Sequence, residues 1–420
     1  MRSRPLAVVA VLAALLGGAL LITSPQALET FQWEYAVAGP RPQRDTTFGA
    51  RILRLSEEGG YFDTDNLISN ERSYLHVAPA LRSRAGGGAY IGVGPDQNFA
   101  YIALLRPEIA YIIDIRRDNV LQHLLFKALF ERSESRFEYL AGLTGRVLPD
   151  DAHPPNAADV TTAQPASTAV SLTDRDGSLL SAVQSAETDA ATLQDIVAWI
   201  DRAPLSQDEL ERVHRDVRAR IERYGYPLTE DDYTVIRRIH ETFAREGLSL
   251  RFSSHGRAPQ PHYPTYRDLL LETDRAGTPS SAFSDEASYA LLRRMQLEDR
   301  IVPVVGDFAG PHALRAIADD LKATDVRVKA FYTSNVEYYL FRNGAFLRFA
   351  DNAATLPWHD EALIIRSVFR GASPDLAAHA VAGYGSIQVV QPARSFLERN
   401  RSGGYATYAE LTAHDVLPPS

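Results

Sequence analysis

The chain has 420 residues, of which 45% are hydrophobic and 23% charged, and its formal net charge is −9 at pH 7. This acidic balance argues against a general nucleic-acid or anionic-membrane binder, because either would favour a basic face. The sequence contains no cysteine, which excludes disulfides, thiolate nucleophiles, iron–sulfur clusters and cysteine zinc sites. Its length permits two domains, or one large domain with an inserted lobe.

An uncharged apolar run covers residues 6–23 and follows Arg2 and Arg4. A helix of this length spans roughly 27 Å, close to the hydrocarbon thickness of a bilayer. Arginines on its amino side favour a cytoplasmic amino terminus and therefore an exported remainder. We predict a signal anchor or signal peptide over residues 1–27, attached to a bacterial inner membrane, with the globular part periplasmic or exported. A cytoplasmic location would require a misassigned start codon.

The pattern of strands and helices begins at residue 89, in AYIGVGPDQNFAYIALLRPEIAYIIDIRRD. This stretch predicts a strand, a glycine turn, a helix and a second strand. A second helix is predicted from Asn119 to Glu131, with Asp118 as its cap. Strands that alternate with helices are typical of a parallel α/β sheet.

The alternation is interrupted after about residue 145. Residues 146–190 are rich in Pro, Ala, Thr and Asp and predict a flexible linker. Residues 191–290 predict an inserted helical lobe, in which Ser206 begins a capping box. The alternation resumes at IVPVVGDFAG (301–310), so residues 28–145 and 291–420 are predicted to be two halves of one α/β domain, with a final edge strand in SIQVVQPARSFL.

Two glycines, Gly92 and Gly94, follow the first predicted strand. Glycine allows a sharp turn and a close approach of a ligand to the main chain. Pro95 and Asp96 would begin the next helix, whose free N–H groups face a ligand. Asp114 ends the second strand, where a carboxylate can accept both hydroxyls of a ribose. The alternative is a tight turn with a structural aspartate.

This order of elements resembles the class I S-adenosylmethionine-dependent methyltransferases, and the same stretches are similar to a bacterial family with no established activity. The resemblance implies a Rossmann-like, mostly parallel sheet flanked by helices, and S-adenosyl-L-methionine as cofactor. It also implies that Gly92 and Gly94 form the glycine loop, that Asp114 binds the ribose and that Asp307 lies near the adenine amino group. Asn335 would then lie in the region that lines the methyl-transfer pocket.

Two positions depart from the family pattern. Tyr90 stands where many members have an acid, and Asp96 replaces the third glycine of the usual GxGxG. A carboxylate at Asp96 would repel a phosphate at this helix end and attract a ligand ammonium. We therefore expect Asp96 to bind the methionine moiety of the cofactor, and a dinucleotide pyrophosphate to be disfavoured.

A second group of candidates lies in RFSSHGRAPQPHYPTYRDLLLETD, residues 251–274. Polar aromatic and cationic residues in an irregular segment between lobes often line substrate pockets. We predict His255 as a general base, Arg257 as the ligand of an acidic substrate group, and Tyr263 and Tyr266 as substrate contacts. The alternative is an interlobe loop whose arginines bind backbone carbonyls.

The third group is YTSNVEYYLF, residues 332–341, at the predicted carboxyl end of a parallel strand. Tyr332 and Asn335 are predicted catalytic residues, and Glu337 is a predicted substrate contact. The alternative role of Asn335 is to cap the following helix. Upstream, Asn66, Asn70 and Glu71 are candidates to close over the glycine loop.

Three classes of function are compatible with these patterns. The first is an S-adenosylmethionine-dependent methyltransferase-like protein that acts on a small molecule. The second is a membrane-anchored, non-catalytic binding or scaffold protein with a degenerate methyltransferase fold. A nicotinamide-dependent oxidoreductase is the least favoured, because its fingerprint requires a third glycine or alanine. His255 and His262 have no nearby acid at ligand spacing, so no metal site is predicted. The sequence identifies no substrate and no protein partner.

Overall fold

The described part of the protein is built on one six-stranded sheet. The computed structural model describes residues 47–148, 192–255, 258 and 260–418. The strand order is β3-β2-β1-β4-β5-β6, with β1 to β5 parallel and β6 antiparallel to β5. The strands are β1 Ala89–Gly92, β2 Ile109–Asp114, β3 Ile301–Val305, β4 Val328–Ser334, β5 Trp358–Phe369 and β6 Ser386–Pro392.

Every residue of β1, β2 and β3 is buried. Continuous apolar runs of this kind are typical of parallel strands whose two faces are both covered by helices. The prediction of a mixed α/β fold, with a mostly parallel sheet flanked by helices, is confirmed. The edge strand predicted within SIQVVQPARSFL is β6, which ends at Pro392 and pairs with β5 in the register Ile365↔Val390.

The helices follow the strands in alternation, with a long insertion before β3. Up to the insertion they are α1 Phe48–Leu55, α2 Ala78–Arg82, α3 Gln97–Leu105, α4 Arg117–Arg132 and α5 Arg136–Leu143. The insertion contains α6 Leu193–Arg202, α7 Gln207–Arg223, α8 Glu230–Glu246, α9 Tyr266–Leu270 and α10 Glu286–Leu297. After β3 come α11 Ala313–Ala323, α12 Val336–Arg342, α13 Phe346–Ala354, α14 Ala393–Arg401 and α15 Tyr408–Ala413. Short 3₁₀ turns cover Arg72–Val77, Gly247–Ser249 and Pro374–His379.

The helices of the insertion pack against the sheet domain. Helices α7, α8 and α10 all contact α4, which itself lies against β3. The described residues fall within one compact unit. The predicted lobe therefore extends the helical layer on the α4 side of the sheet.

Two predicted helix starts differ in detail. Helix α4 begins at Arg117 rather than Asn119, so Asp118 lies in the first turn and Arg116 occupies the cap position without a side-chain cap bond. At the start of α7, Ser206 accepts a bond from the Glu209 N–H, but the Glu209 carboxylate pairs with Arg132 (3.0 Å). A buried carboxylate gains more from a cation than from a backbone N–H at a helix start.

The sheet has a topological switch point between β1 and β4. The chain leaves β1 towards β2 on one side, and after β3 it crosses back to form β4 on the other side. Connections that diverge in this way leave a crevice at the carboxyl ends of the strands, where ligands bind in such sheets. The residues that follow β1 and β4 therefore lie beside this crevice.

Two predicted segments, residues 1–27 and most of residues 146–190, lie outside the described residues. Within the described ranges, no helix combines the length and the apolar character needed to cross a membrane.

Candidate functional site

A cavity of about 230 Å³ lies across the carboxyl ends of β1, β2, β3 and β4. The segment before the first 3₁₀ turn covers it, with Tyr61 and Phe62 at its edge. We call this space the first cavity. From the strand ends and α12, its walls include Val93, Gly94, Pro95, Gln97, Ile113, Asp114, Ile115, Arg116, Gly306, Asp307, Phe308, Tyr332, Ser334, Asn335, Val336, Tyr339, Leu340 and Asn343.

A second cavity of about 130 Å³ shares part of its wall with the first. The shared residues are Phe62, Asn66, Asn70, Glu71, Ser334, Asn335 and Tyr339. Residues that line only the second cavity come from the segment before the first 3₁₀ turn, from the insertion and from the β5–β6 end of the sheet: Thr64, Phe252, Ser254, His262, Tyr263, Ser367, Phe369, Gly385 and Ser386. The site therefore has two neighbouring compartments separated by a polar wall.

The two predicted glycines have different roles. Gly94 lines the first cavity with φ +86°, a conformation that favours glycine, and its carbonyl accepts bonds from Asn119 and His123. Gly92 does not line the cavity. A Cβ there would overlap Asn98 and Tyr90, whose side chains are hydrogen-bonded to each other (2.7 Å). Residue 92 is therefore a glycine because the Tyr90 and Asn98 side chains leave no space for a Cβ there.

Asp114 lines the first cavity, but its carboxylate is already engaged. Oδ1 accepts bonds from the backbone N–H (2.9 Å) and the Nε (3.1 Å) of Arg116, and Oδ2 accepts from Nη2 (2.9 Å). A second nitrogen of Arg116, Nη1, binds the carbonyls of Thr64 and Asp65. A carboxylate has about four acceptor positions, so one remains for a ligand. Asp114 alone therefore cannot accept hydrogen bonds from both ribose hydroxyls, as was predicted, because Arg116 occupies most of its acceptor positions.

Asp307 lies in the first cavity at the end of β3. One carboxylate oxygen accepts a bond from the Ala309 N–H (2.9 Å), which fixes the turn. The Asp307 N–H is held by Glu57 (2.8 Å), a residue that also binds the N–H groups of His312 and Ala313. The Asp307 carboxylate is therefore well positioned and retains acceptor capacity towards the cavity.

Asp96 and Tyr266 pair with each other away from both cavities, which corrects their predicted ligand contacts. The Tyr266 hydroxyl donates to Asp96 Oδ2 (2.9 Å), and both side chains are buried. Helix α3 begins at Gln97, and its first turn directs Gln97 towards the cavity and Asp96 into the core. Burial raises the pKa of Asp96 to about 6, against a weaker lowering by the Tyr266 bond.

Replacing Asp96 with asparagine is expected to stabilise the protein more at pH 8 than at pH 4. The raised pKa means that Asp96 favours folding below about pH 4, and that this contribution is lost as the pH rises through about 6. The free energy of unfolding of the variant, relative to that of the wild type, should rise by about 2–3 kcal/mol between pH 4 and pH 8. Urea unfolding at both pH values measures it, with the exposed Asp351→Asn as control. An equal shift in both variants would contradict this assignment.

Glu337 is buried in an ion pair and is not a substrate contact, contrary to the prediction. Its carboxylate accepts bonds from Arg366 Nε (2.7 Å) and Nη2 (3.1 Å) and from the Thr333 hydroxyl (3.0 Å). Arg366 also donates to Gln391 (2.8 Å). Helix α12 turns Glu337 towards β5 and β6, whereas Asn335, at its cap position, lines both cavities without a side-chain cap bond.

Glu71 is the centre of a polar cluster between the two cavities. It is buried, and its oxygens accept hydrogen bonds from the hydroxyls of Tyr332 and Ser334. Gln97 in turn donates to the Tyr332 hydroxyl. Burial raises the pKa of Glu71, while the hydrogen bonds lower it by less. Tyr332 therefore lines the first cavity and is hydrogen-bonded to Glu71, which lies in the wall that both cavities share.

Two residues of the shared wall have left-handed backbone conformations, Asn66 with φ +53° and Ser334 with φ +55°. Asparagine tolerates this region, but a serine there costs about 1–2 kcal/mol. Strain of this kind persists where the surrounding structure enforces it, and it concentrates at binding sites. The Ser334 conformation places its hydroxyl on Glu71.

The candidates from residues 251–274 are separated in the structure. His255 is half exposed and lies 3.4 Å from Asp65, outside the walls of both cavities, so it is not positioned as a general base there. Arg257 lies outside the described residues. Tyr263 lines the second cavity, where its ring packs against Phe252 at 4.8 Å between centroids.

Several residues of the site were not predicted from the sequence. Gln97 lines the first cavity, and its buried Oε1 has no hydrogen-bond partner among the described residues. Arg116 and Ser334 were also missed, although each follows a predicted strand end at the switch-point edge. Phe252 was missed because its cavity is assembled from segments distant in the chain.

Comparison with known proteins places the chain in a family. No group of histidine and acidic residues within the described ranges has the arrangement needed to hold a metal ion. No curated protein matches the chain. The family described as "Domain of unknown function (DUF7790)" matches residues 66–146 and 198–412, which together make up more than half of the sequence. The chain belongs to the DUF7790 family.

Proposed function

We propose that this protein is an S-adenosyl-L-methionine-dependent, methyltransferase-like protein that holds the cofactor in the first cavity and a small-molecule acceptor in the second. The observation that carries the proposal is the position of the first cavity, across the carboxyl ends of four parallel strands at the switch point of a 3-2-1-4-5 sheet. Ligands bind at this place in open α/β sheets. The second cavity, which shares seven residues with the first, gives an acceptor a neighbouring position.

The residues of the first cavity fit an adenosyl ligand in most respects. Gly94 keeps the main chain accessible, and Asp307 presents an acceptor for an exocyclic amino group. Gln97 offers a buried oxygen that lacks a partner in the described chain. Asp114 and Arg116 together leave one acceptor position and one N–H, so they would bind a ribose diol as a pair.

The protein's own contribution to such chemistry would be positioning. S-adenosyl-L-methionine supplies an electrophilic methyl group when bound. Methyl transfer gains most of its acceleration from holding the reacting groups in line. Asn335 and Glu71, in the wall shared by the two cavities, would orient an acceptor. Phe62 and Tyr339 line both cavities, with ring centroids 5.2 Å apart.

Calorimetric titration of the full chain with S-adenosylhomocysteine and with NAD tests the proposal. We expect S-adenosylhomocysteine to bind and NAD not to bind. Gly94→Val should weaken S-adenosylhomocysteine binding at least tenfold, about 1.4 kcal/mol, because the added side chain enters the cavity. Gly86→Val is the matched control, since Gly86 also has a positive φ (+93°) and lies in open space outside both cavities.

Three results would contradict the proposal: no binding of S-adenosylhomocysteine, tighter binding of NAD, or equal losses in the two valine variants. Equal losses would mean that backbone strain, rather than the cavity, determines the effect.

A non-catalytic binding protein with a degenerate methyltransferase fold is the second candidate. The observation that favours it is the Asp114–Arg116 pair, which uses most of the carboxylate that a ribose would need. Binding of adenosine derivatives without any methyl transfer to candidate amines or alcohols would favour this alternative.

A further inference from the structure

The second cavity combines aromatic rings with a single carboxylate. The rings come from Phe62, Phe252, Tyr263, Tyr339 and Phe369, and the carboxylate is Glu71. The cavity is also lined by His262, but by no arginine, lysine or further acid among the described residues. Aromatic faces attract organic cations, and they do so more strongly when the site is shielded from water.

Glu71 lacks a positive counter-charge in the described structure. Its carboxylate accepts hydrogen bonds from the hydroxyls of Tyr332 and Ser334, and the side chains of Ser367 and Gln388 also lower its pKa. No cation contributes to its electrostatic environment. An ionised carboxylate buried without a cation is costly, which is why burial raises the pKa of Glu71. A ligand that brings a positive charge into the cavity would remove this cost.

A second feature of the cavity also indicates a ligand. Ser254 is buried, lines the second cavity, and its hydroxyl has no hydrogen-bond partner among the described residues. Buried hydroxyls are normally bonded, so an unpartnered one in a cavity wall fits a polar ligand. An ammonium attached to a compact apolar body would place its N–H groups towards the carboxylate and its body against the rings.

We propose that the second cavity binds an organic ammonium ion, with Glu71 as its counter-charge and the surrounding aromatic rings as its walls. This inference concerns binding only and does not require a ligand in the first cavity. Where the proposed transferase function also holds, its acceptor would be the same compound in its neutral amine form, after the ammonium has passed a proton to the Glu71 carboxylate.

Ligand-observed NMR titration of the full chain at pH 7.5 tests the inference with benzylamine, benzyl alcohol and benzoate as probes. These three compounds differ mainly in charge at this pH. We expect benzylamine to bind at least tenfold more tightly than benzyl alcohol, and benzoate not to bind. Glu71→Gln should abolish the preference, whereas the exposed Glu361→Gln should retain it.

A second variant keeps the test decisive if Glu71→Gln does not fold. Tyr263→Leu removes a ring from the half-buried rim and should weaken benzylamine binding several-fold more than benzyl alcohol binding. Equal affinity for the amine and the alcohol, or a preference retained without Glu71, would overturn the inference. The probes are titrated without S-adenosylhomocysteine, so their failure is distinguishable from failure of the cofactor proposal.

Discussion

Replacing Arg366 with methionine is expected to lower the free energy of unfolding by about 3–5 kcal/mol, because it leaves Glu337 as a buried carboxylate without a cation. Both side chains are fully buried, and two hydrogen bonds join them. The substitution also leaves Gln391 Oε1 without its donor and removes the guanidinium from the Phe396 ring, 5.6 Å away. Urea unfolding of the single variant measures the loss.

The double variant Glu337→Gln, Arg366→Met is the matched control. The double variant has no unpaired carboxylate at residue 337, so it should be more stable than Arg366→Met alone. A double-mutant cycle that includes Glu337→Gln gives the coupling energy between the two residues. If the double variant is no more stable than Arg366→Met, the unpaired Glu337 carboxylate does not explain the loss of unfolding free energy. This prediction also tests the assignment of Glu337 to the core instead of to the substrate.

Acidification from pH 7.5 to pH 5 is expected to lower the free energy of unfolding by about 4 kcal/mol through two buried histidines. Burial lowers the pKa of His123 to about 4 and that of His240 to about 3. Each ring uses Nε2 to donate to a carbonyl, that of Gly94 (3.0 Å) and of Gly142 (2.9 Å), and has an unpartnered Nδ1 among the described residues.

The sign follows from the unfolded chain, where a histidine titrates near pH 6.5. Below that pH the two histidines are protonated in the unfolded chain but stay neutral in the folded protein. The free energy of unfolding therefore falls as the pH falls. The raised pKa values of Asp96 and Glu71 act in the opposite direction, and that of Asp96 alone offsets about 1 kcal/mol at pH 5. His240→Gln should reduce the pH-dependent loss by about 2 kcal/mol, and the exposed His414→Gln should leave it unchanged. An unaltered loss in His240→Gln would contradict the buried, neutral state of this ring.

Much of the sheet could be predicted from the sequence because parallel strands buried on both faces are short continuous apolar runs. The same geometry explains why Gly94, Asp114, Asp307 and Asn335 lie at one cavity: each follows a strand, and the carboxyl ends of parallel strands share an edge. Positions along the chain were sufficient for this inference.

Side-chain direction could not be predicted in the same way. Adjacent helical residues differ by about 100° in direction, so the first turn of α3 decides whether Asp96 or Gln97 faces the ligand. The partner that holds Asp96, Tyr266, is 170 residues away in the chain, and only the assembled fold brings them together. Arg116, by contrast, is only two residues from Asp114 in the chain. The direction of its side chain was still not predicted, and its bonds to Asp114 limit what that carboxylate can bind.

Amide hydrogen exchange of the full chain, with and without S-adenosylhomocysteine, shows whether an adenosyl ligand occupies the first cavity. We expect slower exchange in peptides that cover the ends of β1, β2 and β3, namely residues 93–98, 113–116 and 306–309. Unchanged exchange at these strand ends, or protection confined to the helices of residues 192–246, would contradict it.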